Sequence, residues 1–577
     1  MGVAGLWNVL RPASKTRSLT HIAVNDGFKM NPEGARGYRL GIDISIWFFH
    51  MKYAQKGENP HLRTFFFRCA TLMKAPFLPL FVFDGPKRPD FKRGKRISKS
   101  QNVLIPSVKQ IIEAFGFEHR TAPGEAEAEL AYLNRIGVID GILSDDVDNF
   151  LFGATTVIRN PSNSLSGNSS NPTLNSAGKN SKNHSWVYKA DDIMSHPDVG
   201  LTRGGLILIG LLLGGDYEQG GLQGCGMQKA VALAKCGFGD TLYKAASILP
   251  REGLSAFLDN WRQEIQHEMS TNSQGLIGRK LPALAKSLTS AFPDIDIVLS
   301  YVNPITSETM GKPYSSGDIQ WNKEPNISKL ADICERFFEW GYKDGIIKQF
   351  RTVIWPSVVQ HILRRAVASS QHLPRIPSGL GRENAEPCGT PSKMVTKYFS
   401  SMATTSRRHS SNEDEDEDNK RLIVKIHSTR THVSTDGLLE YRLEIDPAQL
   451  IQLAEHGIQG TRPRPIQEWE SEEEGDEDDE NEDQASCTEL QGHLRLWMPA
   501  CMVKLVEPGL VEKFDAEVAR KAAKKAGKGQ GKRGKKVSDE DDRDVPVSPF
   551  TQQKTQDSDY YYEQVEREEQ GSCGSIP

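Results

Sequence analysis

Three short apolar runs in the N-terminal part of the sequence each end in aspartate, and no other pattern narrows the fold as far. The runs cover residues 38–43, 78–84 and 139–146, and stretches with helical spacing separate them, such as 61–75 and 123–137. Short apolar runs of this kind are typical of strands buried on both faces of a parallel sheet. The alternation of strands and helices therefore predicts an α/β core with a mostly parallel sheet.

Length and cysteine usage limit the class of protein. The chain has 577 residues, which at about 150 residues per domain is too long for one small domain. Its eight cysteines are scattered, so we expect reduced thiols of an intracellular protein rather than a CxxC metal knuckle or a disulfide framework. The longest apolar run, residues 206–215, is about half a membrane span, which predicts a soluble protein with no membrane partner.

Shifts in composition predict segment boundaries. Asn and Ser supply more than half of the positions from 159 to 185, which is typical of a disordered surface insertion. The net charge of the whole chain is only −4, but acidic and basic stretches are strongly separated near its end. The predicted segments after the core are a linker at 366–419, a strand-rich module at 420–515 with an acidic insertion at 467–485, and a basic disordered tail at 516–577.

Carboxylates gather where the predicted strands end. Because the carboxyl ends of parallel strands form the site-bearing edge of a sheet, these groups are expected to converge, although any single one could equally be a helix cap. Seven converging carboxylates would carry a charge of −7, and two Mg²⁺ ions would reduce it to −3. Two such cations can clamp a phosphoryl displacement, which points to phosphodiester hydrolysis. The seven residues are Asp43, Asp84, Glu125, Glu127, Asp146, Asp148 and Asp216.

Two further stretches suggest contact with phosphate. Residues 86–100 contain seven Lys or Arg and one Asp directly after Asp84, although a solvated helix face is the alternative. Residues 220–235 form a Gly-rich turn that opens into a helix, where backbone amides can approach phosphate. A plain turn between two helices would explain the same glycines.

Six motifs occur in the order of a known family. They are MGVAGLW, GIDIS, FVFDG, PGEAEAE, SDDVDNFLFGA and LLLGGDY, which lie between Met1 and Tyr217, and the resemblance that they carry covers about residues 1–360. This part of the chain resembles the XPG-type structure-specific endonucleases, the superfamily of flap endonucleases. The resemblance implies a PIN-like nuclease fold with a helical arch and a helix–two-turn–helix region. It divides the core into an N-terminal region at 1–100 and an internal region at 110–365.

The resemblance also implies roles for individual residues. Asp43, Asp84, Glu125 and Glu127 would bind a first metal ion, and Asp146, Asp148 and Asp216 a second, with Asp145 a less favoured ligand. The ions would be Mg²⁺, with Mn²⁺ as a substitute. Lys92, Arg93 and Arg96 would bind DNA and act on the scissile phosphate from the arch, with Lys92 and Arg96 counted as catalytic. Gly2 would pack near the site and contact DNA. Gly224, Gly226 and Lys229 would grip a duplex arm, where several members bind K⁺.

The branch of the family is inferred from two features. The interval between Asp84 and Glu125 is short for a segment that must contain the whole arch, and a short open arch suits a substrate without a free end, such as a four-way junction. The module at 420–515 resembles a diverged chromodomain, so the whole resembles the fungal form of the eukaryotic Holliday-junction resolvase. This implies a nuclear enzyme that acts on branched DNA, not on a small molecule, as a homodimer making paired symmetric nicks.

Two alternatives stay open at this point. A 5′-flap endonuclease would share the fold and the site. A non-catalytic DNA- or chromatin-binding scaffold would retain the acids for structural reasons only. For the chromodomain-like module, Tyr441, Trp469 and Trp497 are available for a methyl-lysine cage, but a contact with a DNA arm is favoured.

Overall fold

The computed structural model describes residues 2–371, 422–464 and 490–530, with gaps at 33, 35, 53, 55–56, 98–101, 161–164, 166–172, 218–219 and 316. Of residues 368–371 and 525–530 it describes the backbone only. The predicted acidic insertion and nearly all of the predicted linker lie outside the described residues. The linker begins later than predicted, because a helix continues to Gln371.

A seven-stranded sheet lies at the centre of the core formed by residues 2–371, in the order β1-β9-β8-β7-β2-β3-β6. Strands β6, β3, β2, β7 and β8 are parallel, and β9 is antiparallel to both of its neighbours. The strands are β1 (Lys15–Ser18), β2 (Tyr38–Asp43), β3 (Phe77–Phe83), β4 (Phe91–Lys92), β5 (Lys95–Arg96), β6 (Glu118–Thr121), β7 (Gly141–Leu143), β8 (Thr156–Arg159) and β9 (His184–Lys189).

The predicted α/β core with a mostly parallel sheet is confirmed. Strand β2 has the predicted ends, and β3 is shifted by one residue. Strand β7 is shorter than predicted because the chain turns away after Leu143: the Asp146 amide donates to Ser144 Oγ (3.0 Å), and the Asp148 amide donates to Asp146 Oδ1 (3.0 Å). The turn places both aspartates at the sheet edge instead of within a strand.

Burial on both faces explains the continuous apolar runs. Every residue of β3 is buried, and successive side chains point to opposite faces. Phe81 and Phe83 belong to one apolar cluster, whereas Leu80 and Val82 belong to another on the opposite face. A sheet covered on both sides leaves only its strand ends free to carry polar chemistry.

Helices cover the sheet and extend beyond it. In the core they are α1 (Leu6–Leu10), α2 (Leu19–His21, continued by a π-helical turn at Ile22–Lys29), α3 (Ile44–Met51), α4 (Pro60–Lys74), α5 (Ile105–Ala114), α6 (Ala126–Arg135), α7 (Asp148–Leu151), α8 (Ala190–Ser195) and α9 (Arg203–Leu213). The mostly helical region that follows contains α10 (Met227–Lys235), α11 (Phe238–Ile248), α12 (Arg251–Thr271), α13 (Pro282–Ser287), α14 (Ile295–Val302), α15 (Ile327–Phe337), α16 (Lys343–Gln349, followed by a π-helical turn at Phe350–Ile354) and α17 (Trp355–Gln371).

The insertion predicted at 159–185 is ordered at both ends in the described residues. Arg159 ends β8, and His184 and Ser185 begin β9. Thr173 is buried and its hydroxyl donates to the His184 carbonyl oxygen (2.8 Å), so part of this polar segment packs against the sheet edge. The prediction of disorder from an Asn- and Ser-rich composition did not foresee this packing, because short polar side chains can form hydrogen bonds to buried backbone groups.

The basic stretch after β3 is a hairpin where the family resemblance implied a helical arch. Strands β4 and β5 pair antiparallel through a two-residue turn, in which Arg93 has φ 51° and Gly94 has φ 66°. Two consecutive residues with positive φ match the turn that favours tight hairpins. The described helix that follows, α5, begins only at Ile105.

A small antiparallel sheet, β10 (Ile423–Thr431), β11 (Leu439–Ile445) and β12 (Leu494–Pro499), forms the C-terminal module. Its helices are α18 (Ala448–Glu455), α19 (Ala500–Val506) and α20 (Pro508–Gln530). The predicted disordered tail therefore starts too early, because residues 516–530 are rich in Ala and Lys, which favour helix. No helix of the described residues has the length and apolarity needed to cross a membrane.

Candidate active site

Asp43 and Asp84 lie at one edge of the sheet, where their side chains link the ends of β2 and β3 to the starts of α3 and α6. Asp43 ends β2 and caps α3, where its Oδ1 accepts the Ser45 amide (2.8 Å). Asp84 follows β3, and its two carboxylate oxygens accept the Ser45 hydroxyl (2.8 Å) and the Ala126 amide (2.9 Å). Because Ala126 begins α6, Asp84 also fixes where Glu125 and Glu127 stand.

Glu125 and Glu127 are buried at the start of α6 and share one cation. Glu125 is 7% exposed and Glu127 is 5% exposed. The Lys92 ammonium lies in ion-pair contact with Glu125 Oε1 and 2.6 Å from Glu127 Oε1. The Tyr217 hydroxyl donates to the other Glu125 oxygen. Both glutamates point toward the edge that carries Asp43 and Asp84, as the sequence predicts.

Asp146 and Asp148 lie in the turn after β7, against the N-terminal segment. Asp148 Oδ1 accepts the Val3 amide (3.1 Å). A Cβ added to Gly2, whose φ is 71°, would lie 2.2 Å from Asp148 Oδ1 and 2.5 Å from Asp146 Oδ1. Only glycine fits this position, so Gly2 lies beside the carboxylates, while its predicted contact with DNA stays a prediction.

Asp216 joins the cluster from the turn after α9. Its Oδ1 accepts from Arg93 Nε (2.8 Å) and Nη2 (2.6 Å), and its Oδ2 is 3.4 Å from Lys92 Nζ. The Arg93 amide also donates to the Asp216 carbonyl oxygen (2.8 Å). The hairpin therefore inserts two cations into the carboxylate cluster.

Burial and mutual repulsion shift the pKa values of the cluster upward. Burial, followed by the charge of Asp84, raises the pKa of Asp43 to about 8. Burial also raises the pKa of Asp146, and it raises those of Glu127 and Asp148 well above the ordinary range, with neighbouring carboxylates adding to the effect. Burial alone would lower the pKa of Lys92, but the charges of Glu127 and Glu125 outweigh it and raise that pKa well above its usual value. The cluster holds its negative charge only with cations beside it.

The donor set suits hard divalent cations, which prefer carboxylate oxygen. In the described part of the chain no three His, Cys, Asp or Glu side chains converge closely enough to hold an ion as they stand. Lys92 is the cation that Glu125, Glu127 and Asp216 share here. We infer a chemical fit from the all-oxygen ligands, their burial and their raised pKa values, and divalent binding would require the Lys92 side chain to move.

Other predicted residues lie apart from this cluster. Asp145 forms an ion pair with Arg159 (3.0 Å) and its carbonyl oxygen accepts Trp7 Nε1 (2.8 Å). Arg96 is exposed and pairs across the hairpin with Phe91. Because cross-strand partners share a face, Arg96 is on the face opposite Lys92.

The Gly-rich turn is placed as predicted, directly before α10. Gly226 precedes the first residue of α10, and Gly224 has a φ of 83°. The Lys229 ammonium donates to the Gly224 carbonyl oxygen (2.7 Å), so it closes the turn instead of extending from it. Its role in holding DNA stays a prediction.

Three residues of the site were not singled out from the sequence. Ser45 bridges Asp43 and Asp84, and it lies within the quoted motif GIDIS. Tyr217 bonds Glu125, and it lies within the quoted motif LLLGGDY, so these two could have been found. Tyr301, on α14, packs against Tyr217 with ring centroids 4.9 Å apart, and no local signal in the sequence points to it.

Family models match three stretches of the chain. Residues 1–102 match the XPG N-terminal domain, 116–216 the XPG I-region, and 422–517 the Holliday junction resolvase Gen1 C-terminal domain. The first two stretches contain all seven carboxylates, together with Lys92 and Arg93, the two hairpin residues that contact them. The third contains the small antiparallel sheet.

Two curated relatives are endonucleases by name. Flap endonuclease GEN homolog 1 of Mus musculus is 30% identical over 275 residues, which cover 44% of this chain and 26% of that protein. Single-strand DNA endonuclease 1 of Arabidopsis thaliana is 28% identical over 402 residues, which cover 63% of this chain and 59% of that protein. The chain thus spans less than two thirds of either relative.

Solved structures share the fold over most of the chain. A crystal structure of the Holliday junction-resolving enzyme GEN1 in complex with product DNA and Mg²⁺ matches with a TM-score of 0.59 at 25% identity. The match covers 90% of this chain and 100% of that one. The eukaryotic junction-resolving enzyme GEN-1 binding caesium matches with a TM-score of 0.61 at 26% identity. Together with the motifs and the sheet-edge carboxylates, these matches show the chain to be similar to the XPG-type nucleases and, at residues 422–517, to the Gen1 C-terminal domain.

Proposed function

We propose that this protein is a divalent-metal-dependent, structure-specific DNA endonuclease that resolves Holliday junctions. The observation that carries the proposal is the gathering of seven carboxylates at the ends of β2, β3, β7, α9 and the start of α6, with Arg88, Lys92 and Arg93 beside them. Similarity to an enzyme whose structure contains product DNA and Mg²⁺ supports the same chemistry. Phosphodiester hydrolysis is the reaction that such a site performs best.

Each side chain has a role in this mechanism. Asp43, Asp84, Glu125 and Glu127 would hold one cation, and Asp146, Asp148 and Asp216 a second. When bound, two Mg²⁺ or Mn²⁺ ions supply a nucleophile and stabilise charge on the phosphate. Ser45 and Tyr217 hold their carboxylate partners in place. Lys92 and Arg93, once released from the carboxylates, would bind the scissile phosphate.

The Gly-rich turn before α10 would hold a duplex arm away from the cut. Backbone amides of the turn and the start of α10 favour phosphate, and such contacts position DNA without reading its sequence. A monovalent ion at this turn is in keeping with neighbours described as binding potassium, sodium or caesium. Potassium is therefore the cofactor proposed for this turn, in addition to the Mg²⁺ or Mn²⁺ of the carboxylate site.

A four-way junction is favoured over a 5′ flap as the substrate. The described part of the arch is a short hairpin, which would leave the site open to a strand without a free end. The C-terminal module, which matches a resolvase domain, would contact a further arm. Two protomers on one junction would make the paired nicks, and the flap endonuclease activity named for several relatives is the second candidate.

The C-terminal module is proposed to contact DNA instead of reading a histone. Tyr441 is 2% exposed and packs on Phe514, which leaves it unsuited to a cage. Trp497 is flanked by the guanidinium groups of Arg430 (4.2 Å) and Arg442 (5.8 Å), and Trp469 lies outside the described residues. Cations on an aromatic ring suit phosphate better than methyl-lysine. The chromodomain-like and nuclear assignments are part of this proposal, and the ten Lys or Arg between 513 and 536 support the latter.

Cleavage of intact four-way junctions with strand mapping tests the proposal. We expect paired symmetric nicks with Mg²⁺ from the unmodified chain, and more than about a hundredfold slower single-turnover cleavage by Asp43→Asn combined with Asp146→Asn. The same double variant should still bind the junction. Strong cutting of 5′ flaps without paired junction nicks would favour the second candidate. Binding without cleavage in Mg²⁺ or Mn²⁺ would favour a scaffold.

A further inference from the structure

Tyr301 is a buried residue next to the carboxylate cluster whose hydroxyl has no role in the mechanism above. Its side chain is 1% exposed, and within the described residues the hydroxyl has no hydrogen-bond partner. Burying an unpaired hydroxyl is destabilising, so an unbonded hydroxyl at this position needs an explanation. Phenylalanine would fill the same space without that cost.

The hydroxyl points at the residue next to a proposed ligand. A Cβ added to Gly215 would lie 2.6 Å from Tyr301 Oη, and Gly215 directly precedes Asp216. Burial raises the pKa of Tyr301 well above its ordinary value, and the carboxylates of Asp148 and Asp216 add to the shift. The hydroxyl therefore keeps its proton and stays a donor, and it lies beside the residue that directly precedes Asp216.

The ring is fixed in this direction by its surroundings. It packs edge-to-face on Tyr217 (4.9 Å) and lies 5.8 Å from Phe152. The Tyr301 carbonyl oxygen accepts from Arg203 Nη2 (3.1 Å), while Arg203 Nε donates to the Leu151 carbonyl oxygen (2.9 Å). Arg203 thus ties α14 to α7, the helix that begins at Asp148.

We propose that Tyr301 is a positioning residue for the cation site formed by Asp146, Asp148 and Asp216, and that its hydroxyl donates to a ligand of that cation. The proposal rests on the proposed function. Groups that orient metal ligands in this way typically contribute about 10–100-fold to metal affinity or activity. The aromatic contacts of Tyr301 supply the rigidity that such a role requires.

Mn²⁺ binding to the full chain without DNA, measured by calorimetry, tests this role. We expect Tyr301→Phe to weaken Mn²⁺ binding about tenfold and to raise the Mg²⁺ concentration needed for half-maximal cleavage, with junction affinity unchanged and a Tm in EDTA at or above that of the parent. Tyr188→Phe is the matched control, since Tyr188 is another buried tyrosine, on β9, whose hydroxyl lies beside Ser14 and Arg159 and not beside the proposed cation site. It should bind Mn²⁺ like the parent.

Gly215→Ala gives a second test that leaves the tyrosine in place. Its added methyl would displace the hydroxyl, so it should weaken Mn²⁺ binding in the same direction. If Tyr301→Phe binds Mn²⁺ within twofold of a parent that binds and cleaves, the role of Tyr301 is wrong while the proposed function stands. If the parent itself neither binds Mn²⁺ nor cleaves junctions, both proposals fall.

Discussion

At the scale of single residues, the site is a set of carboxylates that the fold holds closer together than their charges favour. Asp43 is 7% exposed, and Asp84 is the neighbouring carboxylate that does most to raise its pKa. Lys92 and Arg93, which lie on the hairpin β4–β5, offset part of the repulsion between these carboxylates. The chemistry of the site thus depends on a balance between anions that are fixed by the sheet and cations on a hairpin.

The pH dependence of stability reports this balance. Asp43 has a pKa of about 8 in the folded protein against 3.8 ordinarily, so between these values the folded state retains a proton that the unfolded chain loses. The contribution of Asp43 to stability is therefore present below about pH 4 and is lost as the pH rises to about 8. In EDTA, Asp43→Asn should gain stability over the parent across this window, as urea denaturation at several pH values would measure. An equal difference at pH 4 and pH 8 would contradict the interpretation.

At the scale of elements, the hairpin β4–β5 delivers both cations, and its turn depends on positive φ at two consecutive residues. Gly94→Val places a β-branched side chain at φ 66°, a conformation that costs about 1–2 kcal/mol or more for residues with a Cβ. We expect slower single-turnover cleavage, by about tenfold, with little change in the Tm of the core. Gly178→Val is the matched control, because Gly178 has a φ of 72° in a turn before β9 and no atom lies within 4 Å of where its Cβ would stand. Equal cleavage by both variants would argue against a role for the hairpin.

At the scale of the whole molecule, the C-terminal module is bonded to the core at a buried polar contact. Asp436 accepts the Ser18 amide (2.6 Å) and contacts His184 Nε2 (2.8 Å), and His184 is 1% exposed. Two further contacts join the same parts: Glu335 accepts the Gln459 and Thr461 amides (both 2.6 Å). The module is therefore held against the core at Ser18, His184 and Glu335.

Asp436→Ala should loosen this contact, since it leaves the Ser18 amide and His184 without their partner. A loss of about 1–3 kcal/mol in the free energy of unfolding is expected, together with faster proteolysis between core and module and weaker junction binding. Asp259→Ala is a suitable control, because Asp259 is exposed on α12 and pairs only with Arg262 among the described residues. If both variants show the same proteolysis rate, the contact does not hold the module.

The sequence alone predicted the mostly parallel sheet and the acids at the ends of its strands, while a metal-binding role for the seven carboxylates stays a prediction. Apolar runs that end in acids are a local signal, and buried parallel strands allow few other interpretations. Tertiary structure decided what lies beside those acids, namely the hairpin in place of a helical arch and Tyr301 from a helix far beyond Asp216 in the sequence. It also decided that Asp436 of the C-terminal module contacts the core. These features depend on contacts between residues that are far apart in the chain. A local sequence pattern does not encode such contacts, because the residues meet only when the chain has folded.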